Sequence, residues 1–140
     1  MILLQRLCSF RLPIEEMVEI YTLYIRSILE SSAVVWHSSI TQAEQTSIER
    51  VQKVALKIIL KSDYESYDSA LVLTGLDTLH HRRNILCKKF AQNCLKNPKT
   101  KSMFPLNPSS RNHVKFHVQH ATTSKFMDSA IPCMQILLNE

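Results

Sequence analysis

Glycine occurs once in the 140 residues, at Gly75. A turn-rich all-β design draws on glycine wherever the backbone needs φ > 0, so this chain is poorly supplied for hairpins and tight bends. A hydrophobic fraction of 45% with only five prolines opposes disorder over most of the length, because disordered segments lack the apolar surface to offset ordering entropy. The expected class is all-α: a small helical bundle, then an extended basic arm and a short C-terminal helix.

Helical periodicity is clearest between Pro13 and Lys61. Pro13 with Glu15 and Glu16 behind it marks a helix start, since proline has no N–H to lose in a first turn and carboxylates oppose the positive end of the dipole. The spacing predicts a helix over 13–34. Ile14, Met17, Val18, Tyr21, Tyr24, Ile25 and Ile28 form its apolar stripe, with Glu16, Glu19 and Arg26 outside. Trp36 and His37 sit at its exit.

Thr41 and Glu44 then make the T-x-x-E of a capping box, so the next helix begins near Gln42. Ile48, Val51, Ala55, Ile58 and Ile59 supply its buried side. Arg50, Lys53, Lys57 and Lys61 fall within about 80° of one another at 100° per residue, a basic stripe behind an apolar one. The stretch 62–66 reads as a linker and 67–74 as a short helix stopped by Gly75, at the position where a left-handed cap is commonest.

Asp77 or Thr78 caps a further helix that ends at Asn97 and Pro98. Leu79, Leu86, Phe90 and Cys94 form its expected buried stripe, with Arg82, Lys89 and Lys96 outward. Periodicity fails over 99–125, where Pro105 and Pro108 forbid a continuous helix. Residues 131–138 recover apolar character, with Pro132 in a first turn.

Charge is unevenly placed. Residues 1–77 hold seven Lys/Arg against ten Asp/Glu, whereas residues 78–127 hold ten Lys/Arg and no acid. Such asymmetry points to a polyanionic partner, most simply nucleic acid, against the plainer reading of a solvated face. The four scattered cysteines, Cys8, Cys87, Cys94 and Cys133, read as reduced thiols of a soluble, intracellular chain. No uncharged stretch is long enough to span a bilayer, so no membrane partner is expected.

Chemistry has little apparatus. Cys87 and Cys94 are seven apart with no C-x-x-C, and His113, His117 and His120 lack a thiolate or carboxylate between them, so no metal is expected. His80 and His81 adjoin Arg82 and Arg83, which would oppose protonation of an imidazole there and suit it to act as a base, yet a basic helix start explains them more simply. A phosphate loop and a nucleophile elbow are ruled out by the single glycine. No catalytic residue, cofactor or small-molecule substrate is expected. Arg83 falls on the apolar side of its helix and needs a partner if buried, for which Asp68 and Asp77 are candidates. Trp36 is expected as a packing aromatic rather than a base-stacking platform.

An ordered series runs through nearly the whole chain. It begins with Leu12-Pro13, Tyr21-x-x-Tyr24-x-Arg26-x-Ile28-Leu29-Glu30, Ala33-Val34-Val35-Trp36-His37 and Ile48-Glu49-Arg50-Val51-Gln52-Lys53. It continues with Leu73-x-Gly75-Leu76-x-x-Leu79, Arg82-Arg83, Cys87-x-x-Phe90, Leu95-Lys96-Asn97-Pro98, Ile131-Pro132 and Leu137-Leu138-Asn139. This series resembles the C-terminal region of the reverse transcriptases of non-LTR (LINE-type, jockey or CR1-like) retrotransposons.

The resemblance implies a helical, thumb-like part that contacts template and primer, followed by a C-terminal extension. With the periodicity, the expected organisation is a helical thumb-like domain over 1–98, a basic, weakly ordered arm over 99–128 and a short C-terminal helix over 129–140. The resemblance also implies engagement of RNA or an RNA/DNA hybrid, and of the remainder of a reverse transcriptase, without chemistry. The palm's Tyr/Phe-x-Asp-Asp motif has no counterpart, as the chain contains no Asp-Asp pair. The residues expected to bind nucleic acid are Arg50, Lys53, Lys57, Lys61, Arg82, Lys88, Lys89 and Lys96. The alternative is a vestigial or protein-interaction helical module.

Overall fold

A computed structural model describes residues 2–10, 12–107, 115–118 and 123–140. The described chain is all-α. Its helices are α1 (Ile2–Ser9), α2 (Ile14–Ile20), α3 (Ser27–Glu30), α4 (Ala33–Trp36), α5 (Gln42–Leu60), α6 (Tyr67–Thr74), α7 (Leu79–Lys96), α8 (Pro98–Lys101), α9 (Ser124–Met127) and α10 (Ala130–Asn139). A π-helical turn, Tyr21–Arg26, joins α2 to α3, and a 3-10 turn, Lys61–Asp63, follows α5. Among the described residues no helix is long and apolar enough to cross a membrane.

The chain divides into two compact units, Met1–Ser31 with Thr41–Arg82, and Ser32–Ile40 with Arg83–Glu140. The long helix α7 starts in the first and continues in the second.

In the first unit Leu4, Met17, Tyr21, Ala55 and Ile59 form one buried cluster, so α1, α2 and α5 meet there. Removing a side chain the size of Leu4 from water contributes about 2 kcal/mol. The helix α1 was not among the sequence expectations, and its short apolar run finds its role only on that cluster. Leu56, Leu60 and Ala70 make a second cluster between α5 and α6.

Three local expectations hold closely. Thr41 Oγ1 accepts from the Glu44 N–H while the Glu44 carboxylate accepts from the Thr41 N–H, so α5 starts at Gln42. Helix α6 ends at Gly75 in the left-handed region, φ 64. Thr78 Oγ1 accepts from the His81 N–H in the first turn of α7.

The helix expected over 13–34 is interrupted twice. The π-helical turn widens the backbone ring, so residues beyond Tyr21 leave the α-helical phase. Ser27 Oγ donates to the carbonyls of Leu23 and Tyr24, a local bond that competes with the regular ladder. Met17 and Tyr21 are therefore buried and Val18 and Ile25 pack against them, but Tyr24 is 63% exposed and Ile28 74%. The helix then stops at Ser31, because Ser32 adopts φ 53, and α4 begins separately.

In the second unit Ala91, Phe104 and Met134 form the buried cluster, bordered by Val34, Cys94, Leu95, Phe116 and Leu138. The buried line of α7 is Leu79, Arg83, Cys87 and Ala91, four residues apart. The expected stripe through Leu86 and Phe90 is one residue out of phase, and Phe90 is 48% exposed. The small Ala91 lets its neighbours approach closely, which a phenylalanine at that place would prevent.

Within the stretch expected as a basic arm, α8 is helical and Phe104 is buried. Leu106 pairs with Phe116 in a single antiparallel bridge. The Phe116 N–H donates to Asn139 Oδ1 and Asn139 Nδ2 donates back to the Phe116 carbonyl, fastening this segment to α10. His113 and His120, expected there as solvated histidines, lie outside the described residues, as do 108–114 and 119–122 generally. His117 is exposed.

Candidate nucleic-acid interface

In the first unit Arg50, Lys53 and Lys57 are exposed along α5, on the side away from Ala55, Leu56 and Ile59, because the apolar residues claim the opposite arc. The Lys53 ammonium lies 4.9 Å from the centre of the Tyr67 ring, and that of Lys57 lies 5.3 Å from the Tyr64 ring. These ring faces hold the cations in place without neutralising them, since a quadrupole carries no net charge.

Lys61 departs from the helical path with φ 49 and ψ −108. Its ammonium donates to the Cys8 carbonyl at 3.3 Å, in the last turn of α1. The regular stripe inferred from the wheel thus holds as far as Lys57. Arg82 is paired: its Nε lies 2.9 Å from Glu30 Oε1 and its Nη2 donates to Glu30 Oε2 at 3.4 Å. In the second unit Lys88 is half-buried and Lys89 and Lys96 are exposed, with Lys96 Nζ near Asn93 Oδ1 at 3.4 Å.

Beneath the α5 stripe lies a polar network that sequence reasoning missed. Tyr21 donates to Gln52 Oε1 at 2.8 Å, and Gln52 Nε2 donates to the Tyr67 hydroxyl and the Asp77 carbonyl, each at 2.9 Å. The Tyr67 hydroxyl donates to Glu49 Oε1, which also accepts from the Leu79 N–H at the start of α7. Burial raises both phenols above their ordinary range, and the bond to Glu49 adds to the effect at Tyr67. The available signal was an amide, Gln52, on the apolar arc of α5 between Ile48 and Ala55.

A cleft opens in the same unit between the first turns of α5 and the start of α7. Gln42, Gln45, Thr46 and Glu49 line one wall, Thr78 and His80 the other, and Lys53 stands at its end.

In the second unit Arg83 is wholly buried, as its wheel position requires. Its partners include the Trp-His pair rather than the expected aspartates: Arg83 Nε donates to His37 Nδ1 at 3.2 Å and the guanidinium lies over the Trp36 ring, 5.6 Å from its centre. Since Nδ1 accepts, the tautomer assigned from its partners puts the proton on His37 Nε2, 2.7 Å from Asn84 Oδ1. Asp68 and Asp77 are both exposed. Trp36 accordingly packs against a cation. Burial pushes the Cys87 thiol up to about 11, far from the range of a reactive thiolate. Among the described residues no group of His, Cys, Asp or Glu is arranged to hold a metal ion.

Comparison of the chain with family models, with curated proteins and with solved structures finds no match to any of them.

Proposed function

We propose that the chain is a non-catalytic helical module that holds nucleic acid, a counterpart of the C-terminal, thumb-like region of a retrotransposon RNA-directed DNA polymerase. The observation that carries this reading is the exposed row Arg50, Lys53 and Lys57 on α5, with its two lysines laid over tyrosine rings. Cations spaced one turn apart match a phosphate backbone, and their positions are set before any ligand arrives. The ordered series from Leu12-Pro13 to Leu137-Leu138-Asn139 supplies the polymerase context, and Lys89 and Lys96 supply further charge on α7. Arg82, already paired with Glu30, contributes less than its sequence position promised.

The test is binding of the full chain to an RNA/DNA hybrid, followed by fluorescence anisotropy. Neutralising three phosphates on a duplex should weaken binding on the order of 40-fold between 50 and 200 mM salt. Lys53→Glu with Lys57→Glu should abolish most of the affinity and flatten the salt slope. Affinity indifferent to salt, or unchanged in that double variant, rejects the reading.

One observation favours a second reading, a protein-interaction module. Leu23 is 59% exposed and stands with Tyr24 and Ile28 on the π-helical turn and α3, an apolar surface of the kind that marks contact with another chain. Concentration-dependent association in sedimentation, lost in Ile28→Ser and accompanied by no nucleic-acid binding, would make this the better account.

A further inference from the structure

We infer that the cleft between α5 and the start of α7 is a subsite for one amino-bearing nucleobase, such as adenine or cytosine. This deepens the reading above, on which the placement of a strand's phosphates rests.

One wall consists of Gln42, Gln45, Thr46 and Glu49, which follow the three- and four-residue steps that put side chains on a single helix face. Thr78 and His80 form the other wall. Each carboxamide offers a donor and an acceptor side by side; the Thr46 hydroxyl, whose proton goes to the Gln42 carbonyl, offers an acceptor, and the Thr78 hydroxyl, which accepts from the His81 N–H, offers a donor. The Glu49 carboxylate is an acceptor only. Its Oε1 is held by the Tyr67 hydroxyl and the Leu79 N–H, which fixes the group while leaving acceptor capacity on it.

These groups select by chemistry. A carboxylate inside the cleft opposes a phosphate, so an anion belongs at the mouth, near Lys53. A planar neutral ring with an exocyclic amine meets the carboxylate as a donor. It meets a carboxamide in the two-bond pattern that glutamine makes with adenine, and a carboxylate likewise accepts from the cytosine amine. Uracil presents a carbonyl oxygen where those amines would lie, which repels the carboxylate at that point and leaves only the ring N3–H as a donor. The His80 imidazole provides a ring against which a base can stack. Lys53, which lines the cleft and also begins the pair of tyrosine-backed lysines, joins this subsite to the basic row.

The experiment titrates the full chain with adenosine, cytidine and uridine and follows the NMR signals of Gln45, Thr46 and His80. Nucleosides carry no phosphate, so the result does not depend on the basic row and its salt slope. Adenosine and cytidine should shift these signals and bind about tenfold tighter than uridine, the discrimination of one good base contact. Thr46→Phe, at an exposed position that leaves the core untouched, should fill the cleft and remove the response. No shift with any nucleoside, equal response to uridine, or a response surviving Thr46→Phe overturns the inference.

Discussion

The Tyr21 hydroxyl donates to Gln52 Oε1 at 2.8 Å, joining two residues 31 apart in the chain. Gln52 is fully buried and its amide nitrogen serves the Tyr67 hydroxyl and the Asp77 carbonyl, so one side chain links the π-helical turn, α5, α6 and the approach to α7. Gln52→Leu should cost about 2–4 kcal/mol, because it leaves more than one buried polar group without its partner. Urea denaturation measures this. A loss below about 1 kcal/mol would mean that the network is incidental to stability.

Alkaline pH should destabilise the protein through the same network. Burial raises Tyr21 and Tyr67 above the ordinary 10.0, so above pH 10 the native state retains phenolic protons that the unfolded chain releases. Below pH 10 both states are protonated and this contribution is fully present, and it is lost as pH rises further. Cys87, raised from 9.0 to about 11, acts with the same sign from pH 9 upward. Thermal melts between pH 8 and 11.5 should show the decline in the wild type and a shallower one in Tyr21→Phe. Parallel profiles would refute the assignment to Tyr21.

The capping box predicts the opposite dependence at acid pH. The Thr41 N–H and hydroxyl hold the Glu44 carboxyl below its usual 4.5, so its contribution is present above pH 4.5 and is lost as pH falls below it. Thr41→Ala should cost about 1 kcal/mol at pH 7. The gap between this variant and the wild type should narrow at pH 3. Urea midpoints at the two pH values decide whether the box forms as described.

Backbone strain separates three positions that look alike by φ. Nothing lies within 4 Å of a Cβ added at Gly75, whose φ is +64, so Gly75→Ala tests conformation alone and should cost about 1–2 kcal/mol. Ser32 and Lys61 hold φ 53 and φ 49 with side chains present. Ser32→Gly and Lys61→Gly should each stabilise by about 0.5 kcal/mol, the strain relieved slightly exceeding the entropy added to the unfolded chain. Thermal melts that rank all three substitutions as destabilising would contradict this.

How far the sequence could be read depended on the range of the interaction. Thr41 and Glu44 are three residues apart, and Gly75 stops α6 through its own backbone, so both were legible before any packing was known. The burial of Arg83 was legible from the helical wheel, but its partner was not. Charge alone points to Asp68 and Asp77, whereas the structure supplies the ring of Trp36 and the Nδ1 of His37 from 46–47 residues away. Similarly, the wheel placed Lys61 on the α5 stripe, which a positive φ at the helix end removes.

Sequence alone determined an all-α protein with a capped helix start at 42, a helix stopped at Gly75 and basic residues on the outer arc of α5, because one glycine, a 3.6-residue apolar period and short capping motifs act within a few residues. Tertiary structure decided which of those apolar residues are buried, how Tyr21, Gln52, Tyr67 and Glu49 join, and where a polar cleft opens beside Lys53. Those features depend on distant segments meeting and on a π-helical turn that rotates Tyr24 and Ile28 outward, and local periodicity carries no information about either.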